Sequence, residues 1–208
     1  PLVITPKTLQ QYFGAARYAS ETAEEILEFG IAIGLGWTPA GGDILFVEAT
    51  RMRGSGRLLL TGSLGDVMKE SAQTALSYLR SQAKRLKIDA SEFEKTDIHI
   101  HVPAGAVPKE GPSAGSTIVA ALASIFVKRR VRSDTAMTGE ISLRGRILPV
   151  GGIKEKVLAA ARAKVRQVIL PERNRKDWNE IPADARQKIK VHFIQQISGL
   201  LRLALESD

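Results

Sequence analysis

The sequence contains no cysteine, which excludes disulfides and thiolate metal sites and fits a reducing compartment. No apolar run reaches the length of a membrane span, and no basic-then-apolar leader opens the chain, so a cytoplasmic protein without a membrane partner is expected. Internal repeats and low-complexity segments are missing too. There is no GxxxxGKS/T phosphate loop, and GxGxxG never follows a strand and opens a helix, so nucleotide binding gets no support. What is present is ordinary for a globular chain: 208 residues, 44% hydrophobic and 25% charged. That length suffices for one substantial domain, or one domain and a short appendage. The first residue is Pro1 rather than Met, so a piece of a longer protein is expected. A net charge of +8 raises an acidic partner, nucleic acid among them. The cations are dispersed, however, with clusters only at Lys128-Arg129-Arg130, Arg132 and from Arg173 to Lys176. A solvated basic surface explains that pattern, and only weak DNA binding is expected.

Hydrophobic patterning divides the chain into a lead-in and a mixed α/β domain. Residues 1–27 read as the tail of a preceding module and a linker: Thr5-Pro6 starts a helical turn, Leu9 and Phe13 share its face, and Gly14 ends it. Residues 28–208 form the main domain. GIAIGLGWT and DILFVEATRM read as strands around a Pro39-Ala40-Gly41-Gly42 turn, and RLLLTG as another after Gly54-Ser55-Gly56. An amphipathic helix is predicted over 64–86, with Val67, Ala75, Leu79, Ala83 and Leu86 on one face. In DIHIHV, Ile98, Ile100 and Val102 alternate with His99 and His101. Strands are predicted over 136–143 and 146–150, joined at Arg144-Gly145, then a helix after Gly151-Gly152. A strand over 165–170, a short helix over 174–179, a strand over 189–194 and a helix over 198–205 complete the chain. Helical crossovers imply parallel pairing and hairpins imply antiparallel pairing, so mixed sheets with packed helices are expected.

The chemistry concentrates in PAGAVPKEGPSAGSTIVAALASIFVK, from Pro103 to Lys128. A Pro/Gly-rich loop passes there into an apolar run of helical length, with Ser113 at the junction. Unpaired N–H groups and the positive end of the macrodipole would stabilise negative charge near it. An N-cap is the ordinary job for such a serine. Gly111, Pro112 and Gly115 around it suit instead a backbone that a substrate approaches. His99 and His101 share a strand face, but no Asp, Glu or Cys joins them at ligand spacing, so a polar strand face is the safer reading. Gly111 to Gly115 also matches G-x-S-x-G, with Asp177 and His192 following in the order of a Ser-His-Asp hydrolase. That elbow needs a strand running directly into the serine, whereas a loop separates Val102 from Gly111, and His192 sits inside the strand-like KVHFI. The other base available to a serine is a lysine whose pKa burial has lowered. Lys154 and Lys156 in GGIKEK both flank the apolar stripe of Ile153, Val157 and Ala161, and spacing does not choose between them.

Three stretches carry a resemblance: PKEGPSAG at 108–115, MTGEISLRGRILPVGGIKEK at 137–156 and TGSLGDVMKES at 61–71. Together they resemble the proteolytic domain of the Lon proteases over roughly residues 28–205, and residues 1–27 resemble the end of that family's ATPase module. The resemblance implies a serine endopeptidase with a Ser–Lys dyad, Ser113 as nucleophile and Lys156 as base, with Thr138 hydrogen-bonded to the lysine. Backbone around Gly111, Pro112 and Ala114 would hold the oxyanion. It further implies a fold shared with a ribosomal-protein domain, a homo-hexameric ring, and unfolded polypeptide as substrate. No cofactor is expected in this fragment, since ATP and magnesium would serve the absent ATPase module. The family most often has Asp where Glu110 stands. The rival reading from another class is a non-catalytic, basic nucleic-acid-binding module of the same fold.

Overall fold

In the computed structural model, residues 28–38, 41–103 and 108–207 are described, together with Thr5, Thr8 and Tyr12. The lead-in over 1–27 otherwise lies outside the described residues, as do Pro39 and Ala40 of the expected turn and residues 104–107 of the central loop. A seven-stranded sheet forms the frame, in the order β3-β4-β2-β1-β5-β8-β9. Its strands are β1 (Ile31–Thr38), β2 (Gly41–Arg53), β3 (Leu58–Thr61), β4 (Thr96–His101), β5 (Thr135–Met137), β8 (Gln167–Pro171) and β9 (Lys190–Ile194). β2 pairs antiparallel with β1 and β4, and the other neighbours run parallel. A separate hairpin holds β6 (Glu140–Ile141) and β7 (Ile147–Leu148). The mixed α/β expectation holds.

Central strands show why the sheet must be covered twice. Ala32 to Leu35 of β1, all of β5, and Val168 to Pro171 of β8 are buried without alternation, as two-sided burial requires. One face packs α1 (Asp66–Ser81), α3 (Gly115–Val127) and α6 (Ile197–Ala204) over Ala32, Val47, Ile98 and Ile100. Between α1 and β4 lies the short α2 (Glu92–Lys95), whose Phe93 joins that core. The other face packs α4 (Ile153–Arg162), a 3-10 segment (Glu172–Glu180) and α5 (Ala183–Arg186) over Ile33, Leu35 and Val168. α3 is the central helix: every residue but Val127 is buried, consistent with its Ala/Ile/Val/Leu content. Truncating its fully buried Leu122 to alanine would cost about 2–5 kcal/mol.

Four expectations are corrected. The predicted strand over 136–143 is interrupted at Thr138-Gly139, where the backbone leaves β5 to bind elsewhere. Thr138 N–H still donates to Ile169 O at 3.2 Å, but Gly139 N–H donates to Ser113 O at 2.9 Å. Helix α1 stops at Ser81 instead of running to Leu86, and Lys87 takes a positive φ of 57° as the chain turns away. Val67 is exposed, while Met68, Ala72, Ala75, Leu76 and Leu79 supply the packed face. The predicted helix over 174–179 is a longer 3-10 segment, Glu172–Glu180.

Candidate active site

Ser113 lies in a 3-10 turn, Pro112–Ala114, that leads into α3. The residues in capping positions are Gly111 and Ala114, and neither helix start has a side-chain cap hydrogen bond. Ser113 therefore does not serve as an N-cap, and its hydroxyl has no hydrogen bond among the described residues. The turn is pinned from behind instead. Ser113 O accepts from Gly139 N–H at 2.9 Å and from Thr138 Oγ1 at 3.3 Å, and Ser116 N–H donates to Gly139 O at 2.9 Å. The break after β5 thus positions the serine.

Helix α4 separates its two lysines. Lys154 is exposed, whereas Lys156 retains only 2% of its surface and shares the buried face with Ile153, Val157 and Ala160. Lys156 Nζ donates to Thr138 Oγ1 at 3.0 Å, and Thr138 is itself only 1% exposed. A chain of hydrogen bonds therefore runs from the lysine through Thr138 to the serine carbonyl. Lys156 forms no ion pair among the described residues. Burial, with no partner charge to offset it, pulls its pKa down from 10.5 to about 8.

Two close approaches hold α4 in register. A Cβ at position 42 would lie 2.0 Å from the Glu155 carbonyl oxygen, so only glycine lets β2 pass the first turn of the helix. Gly152, just before that turn, has φ +69° and packs beneath Trp37. Trp37 also lines the groove onto which Ser113 and Lys156 both open, a space of about 650 Å³ walled by Phe46, Met68, Pro112 and Val150. Its walls are largely apolar, with Asp43, Glu110 and Glu140 at intervals.

The oxyanion expectation contracts on chemical grounds. Pro112 has no N–H to donate, and Gly111 N–H is engaged by Glu110 Oε1 at 3.2 Å. The N–H group of Ser113 remains, whereas Ala114, one of the residues named from sequence, lies inside the 3-10 turn Pro112–Ala114, whose i to i+3 bonds use its N–H. Glu110 turns its carboxylate against Gly65 at the start of α1, where a Cβ would meet Oε2 at 1.5 Å. The positive end of α1 suits a carboxylate there.

The other sequence candidates lie elsewhere. His192 is on the edge strand β9, its Nε2 3.0 Å from Gln167 Oε1, and Asp177 accepts from Asn174 at 2.6 Å. Neither lines the groove with Ser113. His99 and His101 both contact Thr61 Oγ1, at 2.9 and 2.7 Å, and no metal-binding cluster forms among the described residues. Sequence reasoning missed Asn174, which is 3% exposed and holds Val150 from both sides. Its side-chain amide donates to Val150 O at 2.9 Å, and Val150 N–H donates to its Oδ1 at 3.0 Å. A lone asparagine in a polar run offers no pattern that would reveal such a clamp.

Comparison with known proteins agrees with the geometry. The family described as Lon protease C-terminal proteolytic domain matches residues 3–207. The Lon protease of Desulfosudis oleivorans is 54% identical over 205 residues, covering 99% of this chain and 25% of that protein. The Lon protease of Anaeromyxobacter dehalogenans is 57% identical over 198 residues, covering 95% of this chain and 24% of that protein. The Lon protease of Aquifex aeolicus is 52% identical over 206 residues, covering 99% and 26% respectively. The chain spans about a quarter of the length of these relatives. With a family match over nearly its whole length and more than half its residues identical in each of these relatives, the chain belongs to the Lon protease family, as a C-terminal proteolytic domain.

Proposed function

We propose that the chain is a serine endopeptidase domain in which Ser113 is the nucleophile, Lys156 the general base and Thr138 the residue that positions the lysine. The observation that carries this reading is a buried lysine with no ion-pair partner among the described residues, opening onto the same groove as a serine that caps no helix. With its pKa near 8, Lys156 is neutral in an appreciable fraction of molecules at neutral pH. The neutral amine takes the Oγ proton as Ser113 attacks the scissile carbonyl. The Ser113 N–H group holds the developing oxyanion, a contribution of about 3 kcal/mol in comparable sites. Lys156 then returns the proton to the leaving amine, and water, activated by the same lysine, releases the acyl group from Ser113.

The largely apolar groove suits an extended, unfolded polypeptide, since a folded segment would keep its backbone and apolar side chains turned inward. On this reading residues 28–208 are the proteolytic unit and 1–27 the link to a preceding module. ATP and magnesium belong to that module, and the whole protein works as a homo-hexamer in the cytoplasm. Relatives about four times as long support the additional module. Among the described residues no helix is long and apolar enough to cross a membrane.

Hydrolysis of a fluorogenic peptide tests the assignment. Ser113→Ala abolishes turnover while circular dichroism stays unchanged. Lys156→Arg abolishes it too, because guanidinium does not deprotonate at working pH. His192→Ala retains most of it. Full activity in Ser113→Ala, or its loss in a well-folded His192→Ala, would overturn the dyad.

A further inference from the structure

Beside the groove lies a second cavity of about 540 Å³. The two share one wall, Pro149, Val150 and Gly151. Across that wall stands the 3-10 segment bearing Arg173, Asn174, Lys176 and Asp177. The paired hydrogen bonds between Asn174 and Val150 hold this segment to the wall, so its charges keep a fixed place beside the groove.

The cations on the segment are not equivalent. Arg175 is committed: its guanidinium donates twice to Glu172 and lies 4.2 Å from the centre of the Phe193 ring. Arg173 and Lys176 are exposed and make no ion pair or hydrogen bond among the described residues. The one acid lining the cavity, Asp177, is occupied by the Asn174 amide. The groove carries the opposite balance: three acids stand against two lysines, of which Lys156 is buried and Lys109 donates to Gly62 O. The formal charges lining the two spaces therefore differ in sign, more acids than lysines in the groove and more cations than acids in the cavity.

We propose that this cavity is an anion subsite of the peptidase, taking a carboxylate of the substrate chain a few residues from the scissile bond. The proposal rests on the peptidase reading of the adjoining groove. An Asp or Glu side chain and the C-terminal carboxylate of a short peptide offer the same chemistry. An extended chain advances about 3.3 Å per residue, so only one or two substrate positions can reach the two cations.

The test uses matched fluorogenic peptides with Glu, Gln or Lys at each position on both sides of the cleavage site, each with a free or an amidated C-terminus. At one position Glu should exceed Gln in kcat/KM by about two- to fivefold per cation engaged, mostly through KM. The advantage should shrink as ionic strength rises towards about 1 M. A free-over-amidated advantage shared by the Glu and Gln peptides assigns the subsite to the terminal carboxylate; a Glu-over-Gln advantage that persists on amidation assigns it to the side chain. In R173E/K176E the order should invert to Lys over Gln. K84E/R85E makes the same change of net charge in the turn after α1, on the other side of the sheet, and should keep the wild-type order. Equal rates for Glu and Gln at every position together with equal rates for free and amidated termini, or an unchanged order in R173E/K176E, would overturn the subsite while leaving the peptidase intact. Anisotropy of the labelled peptides on Ser113→Ala protein reads the subsite without turnover. A charge-dependent preference there, with the wild-type chain hydrolysing none of the peptides, would sink the peptidase reading and keep the subsite.

Discussion

Lys156 is the residue on which most of the proposed chemistry turns, and its burial makes a prediction about stability as well as rate. The folded chain releases the lysine proton near pH 8, whereas the unfolded chain holds it to about 10.5. Between those values the unfolded state binds more protons, so unfolding free energy rises with pH. Below pH 8 the burial penalty acts in full. Lys156→Met should therefore stabilise the fold at pH 7, by about 2–3 kcal/mol in urea unfolding. That gain should fade as pH approaches 10.5. An equal gain at pH 7 and pH 10 would mean that the lysine keeps an ordinary pKa in the fold. In the same range the wild-type peptidase rate should rise through pH 8 and level off, because the neutral amine is the active form. A rate still climbing tenfold per unit beyond pH 10 would contradict a buried base.

At the scale of elements, the site is a junction of three pieces. The 3-10 turn before α3 carries the serine, the break after β5 carries Thr138, and the first turn of α4 carries the lysine. The contact most sensitive to change is that of β2 against α4 at Gly42. A methyl there would need to displace the Glu155 carbonyl, which lies one residue before Lys156. Gly42→Ala should cost about 1–3 kcal/mol of stability as an overpacked backbone contact. It should also lower kcat more than it raises KM, since it moves the base and not the whole groove. An alanine variant with wild-type kcat and stability would show that α4 tolerates a shift. Gly41 is the contrasting control, because a Cβ there meets nothing within 4 Å, although its φ of +123° still disfavours alanine.

For the whole molecule, the net charge of +8 overstates what the surface offers an anionic polymer. The cluster from Lys128 to Arg132 is largely spent inside the fold. Arg129 donates to the Glu206 carbonyl, Arg130 pairs with the Glu206 carboxylate at 3.0 Å, and Arg132 pairs with Asp134 at 3.2 Å. Arg51 is likewise held by Glu92 at 2.8 Å. DNA binding by this domain should accordingly be weak, with a log K against log salt slope equivalent to about two or three phosphate contacts. A slope near ten would restore the nucleic-acid module as the better reading.

Periodicity and composition alone determine much of this protein: the strands around Ile33, Val47 and Ile98, the buried helix after Ser113, and the mixed sheet that joins them. Those features depend on contacts of period 2 or 3.6, which are local and so visible in the chain. The resemblance of three motifs points to Ser113 and Lys156 as the proposed dyad. Spacing could not choose between Lys154 and Lys156, because both flank the stripe of Ile153 and Val157. The choice of which one is buried belongs to the packing of α4 against β2 and β1, where Gly42 opens the space. The split of the 136–143 strand has the same origin. Thr138 and Gly139 satisfy their backbone groups with Ile169 and Ser113, partners 31 and 26 residues away in the chain. The Asn174 clamp, and the placing of Arg173 and Lys176 beside it, arise only when the 3-10 segment meets the strand-end at Val150. Interactions of that range leave no local pattern, so only the tertiary structure decides them.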